Sequence, residues 1–129
     1  MVKKIMGVIL SILLLLNISG CIALLAGAAA GGLGAATWLS GKLSQEVNGS
    51  FDDSLNAAKS ALKSFNLNIV KETKKEDVAQ VMSNYTDGRT IWIDIHRVSL
   101  LVSRVEIRVG ATGDKDAARK IMNKILSYL

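Results

Sequence analysis

An α+β domain, an antiparallel sheet of about five strands with two helices packed on one face, is the fold class this sequence predicts. Three observations carry it. Short runs beyond residue 66 alternate between apolar and polar residues, most plainly where Leu101, Val105, Ile107 and Val109 face one way and Arg104, Glu106 and Arg108 the other. Two segments, one after Ser50 and one after Asp114, instead repeat apolar residues at steps of three and four. Clusters of Asn, Asp and Gly punctuate the runs. The predicted order is β-α-β-β-β-β-α, preceded by an N-terminal signal or lipid-anchor helix.

Trp38 to Val47 reads as the first strand, with Leu39, Leu43 and Val47 among polar residues and Gly41 as its weak point. Asn48-Gly49-Ser50 then turns the chain. Ser50, with Asp53 three residues on, has the pattern of a capping box. Phe51, Leu55, Ala58, Leu62 and Phe65 follow on one helical face, with Lys59 and Lys63 in the later half, where the helix dipole favours cations. Leu67 to Thr73 is a second strand, Lys74-Lys75-Glu76-Asp77 a solvated charged turn, and Val78 to Thr86 a third strand. Asp87-Gly88 suits a tight hairpin, and Arg89 to Arg97 returns with Ile91, Ile93 and Ile95 on one face. After a break near Val98-Ser99 comes the fifth strand. Gly110 to Gly113 ends it, and Asp114 caps a last helix whose inner face carries Ala118, Ile121, Met122, Ile125 and Leu129.

If both helices cover the aliphatic face of the sheet, the other face is open and carries Trp92, Asp94, His96, Arg104, Glu106 and Arg108. Trp92 and His96, with Arg104 and Arg108 on a neighbouring strand, form a candidate patch for a peptide, a glycan or another envelope protein, because Trp and Arg are favoured at binding hot spots. The competing reading is an ordinary solvated face. No cofactor and no metal site is expected: His96 is the one histidine, without acidic partners at ligand spacing in the sequence. Adjacent Asp52 and Asp53 point apart on a helix and serve its first turn rather than acid–base chemistry. The protein is therefore read as not an enzyme, with a small envelope hydrolase as the alternative that no Ser/His/Asp spacing or nucleophile elbow supports.

The first forty residues set the location. Lys3 and Lys4 precede an apolar run from Ile5 to Leu16, the charged and greasy parts of a secretory signal. Twelve helical residues reach roughly 18 Å, short of the ~30 Å hydrocarbon core, so the run alone is a poor permanent span. Ile18-Ser19-Gly20-Cys21 follows and resembles the lipobox of bacterial lipoproteins. That resemblance implies cleavage between Gly20 and Cys21, diacylglycerol on the Cys21 thiol, and a mature chain held at the membrane through covalent lipid. Ile22, rather than an acidic residue, follows the cysteine, which by the same resemblance favours the outer membrane, with the domain outside the cytoplasm. Multiple acyl chains, at ~0.8 kcal/mol per buried methylene, suffice for stable anchoring.

Three parts are thus expected: a signal peptide over 1–20, a lipidated Ala/Gly-rich tether over 21–37, and an α+β domain over 38–129. The tether admits three readings, a flexible linker, a short helix on or in the bilayer, or a self-associating zipper through the Gly27/Gly31 spacing. The domain resembles an uncharacterised family of small bacterial lipoproteins with a C-terminal domain of unknown function. The likeness is carried by Gly41-Lys42-Leu43, by Ile107-Arg108-Val109-Gly110, and by Gly113-Asp114 opening a helix with Ile121 and Ile125. It implies a secreted, lipid-anchored domain and brings no catalytic residues. The net charge of +5 falls to +3 once Lys3 and Lys4 are set aside, and its even scatter argues against nucleic acid as a partner.

Overall fold

The structure is a computed structural model that describes residues 2–11 and 35–129. Cys21, Gly20 and the glycines of the tether lie outside the described residues. Residues 2–11 are helical (α1) and exposed throughout. Among the described residues no helix is long and apolar enough to cross a membrane.

Six strands, rather than the five expected, form one antiparallel sheet. They are β1 (Thr37–Leu39), β2 (Lys42–Asn48), β3 (Ile69–Lys74), β4 (Val78–Asn84), β5 (Thr90–Arg97) and β6 (Val102–Val109), with α2 (Phe51–Ser64) after β2 and α3 (Lys115–Ser127) after β6. The spatial order is β1-β2-β6-β5-β4-β3. The extra strand comes from the predicted first one, which Ser40 and Gly41 break in two. Both residues have positive φ, 55° and 78°, so the chain doubles back in a primed two-residue turn that pairs Leu39 with Lys42. A helix-lined β2 begins only after this turn, and Leu39, expected to alternate inward, is 72% exposed.

Both helices lie on one face, as the one-sided apolar stripes demand. Ile91, Ile93 and Ile95 of β5, Val105, Ile107 and Val109 of β6, and Leu43 and Val47 of β2 meet Phe51, Leu55, Ala58 and Leu62 of α2 and Ala118, Ile121, Met122 and Ile125 of α3. Each fully buried aliphatic side chain stabilises by about 1.5–3 kcal/mol relative to exposure. Three serines are buried in this layer, and two are matched: Ser83 Oγ donates to the carbonyl of Asn68 (2.6 Å) and Ser103 Oγ to that of Gly49 (2.9 Å), while Ser54 Oγ on α2 has no partner among the described residues. The matched two bind loop backbone to the sheet where an aliphatic residue would leave a carbonyl bare.

The helix starts follow the sequence. Ser50 accepts from the Asp53 amide at 3.2 Å and Asp114 from the Ala117 amide at 3.1 Å, each filling an orphan donor. The ends depart from it. Phe65 is the C-cap of α2 and 38% exposed, not a core residue, and Leu129 lies beyond α3 and is 36% exposed. Leu101 also leaves the core: β6 starts at Val102, the inward position before Val105 is Ser103, and Leu101 sits in the β5–β6 turn, 70% exposed.

Candidate functional site

The open face of the sheet is organised by register. Along one crossing line lie Arg108, Trp92, Met82 and Lys71; along the next Ser44, Glu106, Asp94 and Gln80; along the third Glu46, Arg104, His96 and Val78. On β2, β4, β5 and β6 each of these positions adjoins a core residue of the same strand, so the pleat assigns them to the outer face, and Lys71 of β3, a strand with no buried residue, joins the line through its pairing with Met82. All four residues of the expected patch, Trp92, His96, Arg104 and Arg108, stand on that face. They occupy two lines, Trp92 directly opposite Arg108 and His96 directly opposite Arg104, with the acidic line between them.

Asp94 and Glu106 are direct cross-strand partners, an arrangement of like charges that opposes pairing unless compensated. Compensation comes from both sides. Lys42 Nζ lies 3.9 Å from Asp94 Oδ2 and 4.0 Å from Glu106 Oε2. The other carboxylate oxygens are held separately: Gln80 Nε2 donates to Asp94 Oδ1 (2.8 Å) and Arg104 Nε to Glu106 Oε1 (3.1 Å). His96 Nε2 approaches Glu106 Oε2 at 3.6 Å. The sequence places Asp94 and Glu106 on the open face but shows no acidic partners for His96 at ligand spacing. Only the strand register puts them beside it. Asp94, His96 and Glu106 present three ligand atoms within 4.8 Å of one another, the group among the described residues with the donor set for a cation. Lys42 and Arg104 already supply positive charge to its carboxylates.

Between the basic and acidic lines is a hollow of about 210 Å³ lined by Lys42, Gln80, Trp92, Asp94, Glu106 and Arg108. Arg108 is fixed by a bond from its Nη2 to the Ser40 carbonyl (2.7 Å), and its Nε is buried with no acceptor among the described residues. Sequence reasoning also missed Lys42 and Gln80 here, since they come from a β2 that begins after the unexpected turn and from a β4 read only for its alternation.

Away from this face, Arg89 joins the β4–β5 turn to the start of α3: its Nε donates to Asp87 (2.6 Å) and its Nη1 to Asp114 (3.0 Å). The amide of Ala117 first, and then the Arg89 guanidinium, hold the Asp114 carboxyl below the ordinary carboxylate range. Asp52, at the start of α2, is lowered by the hydrogen bond from Lys74 and its charge. Both are structural contacts, and neither carboxylate lines the hollow.

The fold and its outer face define a two-layer α+β domain with one charge-banded sheet surface that none of the described helices covers. A family model described as protein of unknown function (DUF3568) matches residues 3–127, and the chain belongs to this family. No curated protein matches the chain.

Proposed function

We propose that the protein is a lipid-anchored bacterial cell-envelope protein, cleaved before Cys21 and acylated on it, whose domain stands outside the cytoplasm and binds a polypeptide partner through the open sheet face. The outer membrane is the proposed site. Sequence supports the anchor: Lys3 and Lys4, the apolar run to Leu16, and Ile18-Ser19-Gly20-Cys21 come in the order that export and acylation require.

The observation that carries the binding reading is the Arg108 side chain in the hollow. The Arg108 Nε is buried without an acceptor among the described residues, a state that costs about 1–3 kcal/mol and that is relieved where a partner's carbonyl or carboxylate draws the guanidinium out to meet it. Around it, Trp92 offers a flat apolar surface, Lys42 a second cation, and Gln80, Asp94 and Glu106 a mixed set of polar atoms. Such a setting suits backbone and side chains of a polypeptide better than a simple anion, which the two carboxylates would repel. Trp and Arg at the centre with a polar surround is the usual anatomy of a binding hot spot.

Crosslinking of the lipidated protein in its native envelope, followed by mass spectrometry, tests this. The expected result is a partner crosslinked beside the hollow and lost in Trp92→Ala. Equal recovery from the variant overturns the binding face. Cys21→Ser tests the anchor separately, with loss of lipid labelling and an uncleaved precursor expected. Normal labelling or processing of that variant refutes it.

A further inference from the structure

The turn between β5 and β6 exposes three apolar side chains within four residues. Val98 is 46% exposed, Leu100 79% and Leu101 70%. The turn is not loose, since the amides of Val98 and Ser99 both donate to the Val102 carbonyl at 3.1 and 3.0 Å. A defined turn therefore holds apolar groups away from the core, against the ordinary preference of loops for polar residues.

The register shows which end of the sheet this is. Val102, the residue after the turn, pairs with Asn48 at the far end of β2. β1 runs from Thr37, opposite Ser44, to Leu39, opposite Lys42, so the chain arrives at the sheet from the side on which Asn48 lies. What it arrives from, sixteen residues before Thr37, is Cys21, the proposed point of acylation. The end of the sheet at which the chain enters from the proposed anchor is thus the end that carries the apolar turn. Neighbouring charges cancel rather than form a basic patch: Lys74 pairs with Asp52 and Arg97 with Asp77.

From this we infer that the Val98–Leu101 turn rests in the surface of the bilayer that anchors the protein, inserting apolar side chains at the headgroup boundary. The inference depends on the anchored reading for proximity and adds an orientation to it. Because the flanking charges cancel, contact is with the apolar edge of the lipid and is independent of anionic headgroups.

The test uses the full chain, purified in its native acylated form and reconstituted in phosphatidylcholine vesicles. An environment-sensitive thiol-reactive fluorophore is placed on Leu100→Cys or, as a control at the opposite end of the sheet, on Ala111→Cys, and aqueous iodide is used as quencher. The expected result is several-fold weaker quenching at residue 100 than at residue 111, unchanged when anionic lipid is added. Equal quenching at the two positions overturns the inference. So does protection at residue 100 that grows with protein density on the vesicle, which would make a second copy the occupant. The unsubstituted chain reports on the anchor by itself: an acylated Cys21 takes no label, whereas a labelled parent refutes the anchor, and the comparison of residues 100 and 111 is then read in a Cys21→Ser background with added vesicles.

Discussion

Replacing Lys42 by methionine tests whether the acidic line of the open face depends on that ammonium. The stem length and its packing are kept and only the charge is lost. Two unit charges 4 Å apart attract by about 1 kcal/mol in water and about 4 kcal/mol at an effective dielectric of 20. Lys42 lies at 3.9 and 4.0 Å from its two partners, but its side chain is 42% exposed, against 17% for Asp94 and 20% for Glu106. That exposure places each pair in the range of surface ion pairs, about 0.2–1 kcal/mol. Arg104 remains on Glu106, so the net loss should be about 1 kcal/mol, or about 4–8 °C in Tm for a domain of this size. Thermal unfolding by circular dichroism at low ionic strength reads it. Adding Asp94→Asn should restore most of the loss, because the directly opposed like charges are then gone, and the coupling in the double-mutant cycle should fade at about 1 M salt, where the Debye length is about 3 Å. A Lys42→Met protein with the parental Tm, or one whose loss persists unchanged beside Asp94→Asn, would refute the compensation argument.

Gly113→Ala should be strongly destabilising. Gly113 has φ +84°, and an added Cβ would stand 2.7 Å from Gly41 Cα and closer still to the Gly41 carbonyl, so backbone strain of roughly 1–2 kcal/mol is joined by displacement of the β1–β2 turn. Gly88→Ala, at φ +91° with nothing within 4 Å of the new Cβ, should cost the strain alone; equal shifts in urea midpoint for the two variants would show that the Gly41–Gly113 contact does not matter. Acid should weaken the fold. The carboxyls of Asp52, Asp87 and Asp114 are lowered by hydrogen bonds from Lys74, the Arg89 amide and the Ala117 amide, so their contribution is present above the unfolded value of about 3.9 and is lost as pH falls through the lower folded values. Urea midpoints measured between about pH 6 and 2 should fall below about pH 4 and fall less steeply in Asp114→Asn, and midpoints that hold steady or rise would contradict the sign.

Much of the sheet was legible because its periods are clean. Ile91, Ile93 and Ile95 alternate without exception, and the helical steps after Ser50 and Asp114 agree with their caps. The errors fall where one residue stood for two roles. Leu39 matches the alternation of Leu43 and Val47, yet the left-handed backbone at Ser40 and Gly41 outweighs the pattern and turns the strand into a hairpin. Phe65 and Leu101 continue an apolar period by one step, but each stands just past the point where backbone pairing stops, and periodicity has no term for an element's end. The candidate site was legible as a face and not as a constellation. That Trp92 and Arg108 share a surface follows from parity alone, whereas the pairing of Asp94 with Glu106 needs the register between β5 and β6, which depends on the length of the turn from Val98 to Leu101.

In the proposed arrangement the same turn would connect location to binding. Val102 adjoins it, and Arg108, opposite Trp92, lies six residues further along β6, a separation of about 20 Å at the rise of an extended strand. A sheet seated at the membrane by Val98–Leu101 would therefore hold the hollow of Lys42, Trp92 and Arg108 well clear of the headgroups, at the end away from the anchor. Its outer face would stand beside the bilayer, not against it. The helices would not obstruct this face, since both pack on the opposite side of the sheet. In that arrangement the exposed leucines and the Arg108 Nε donor, unpaired among the described residues, would answer different needs. Leucines at the near end would fix orientation through apolar contact, and the polar hollow at the far end would keep its hydrogen-bonding capacity for a partner approaching from the aqueous side.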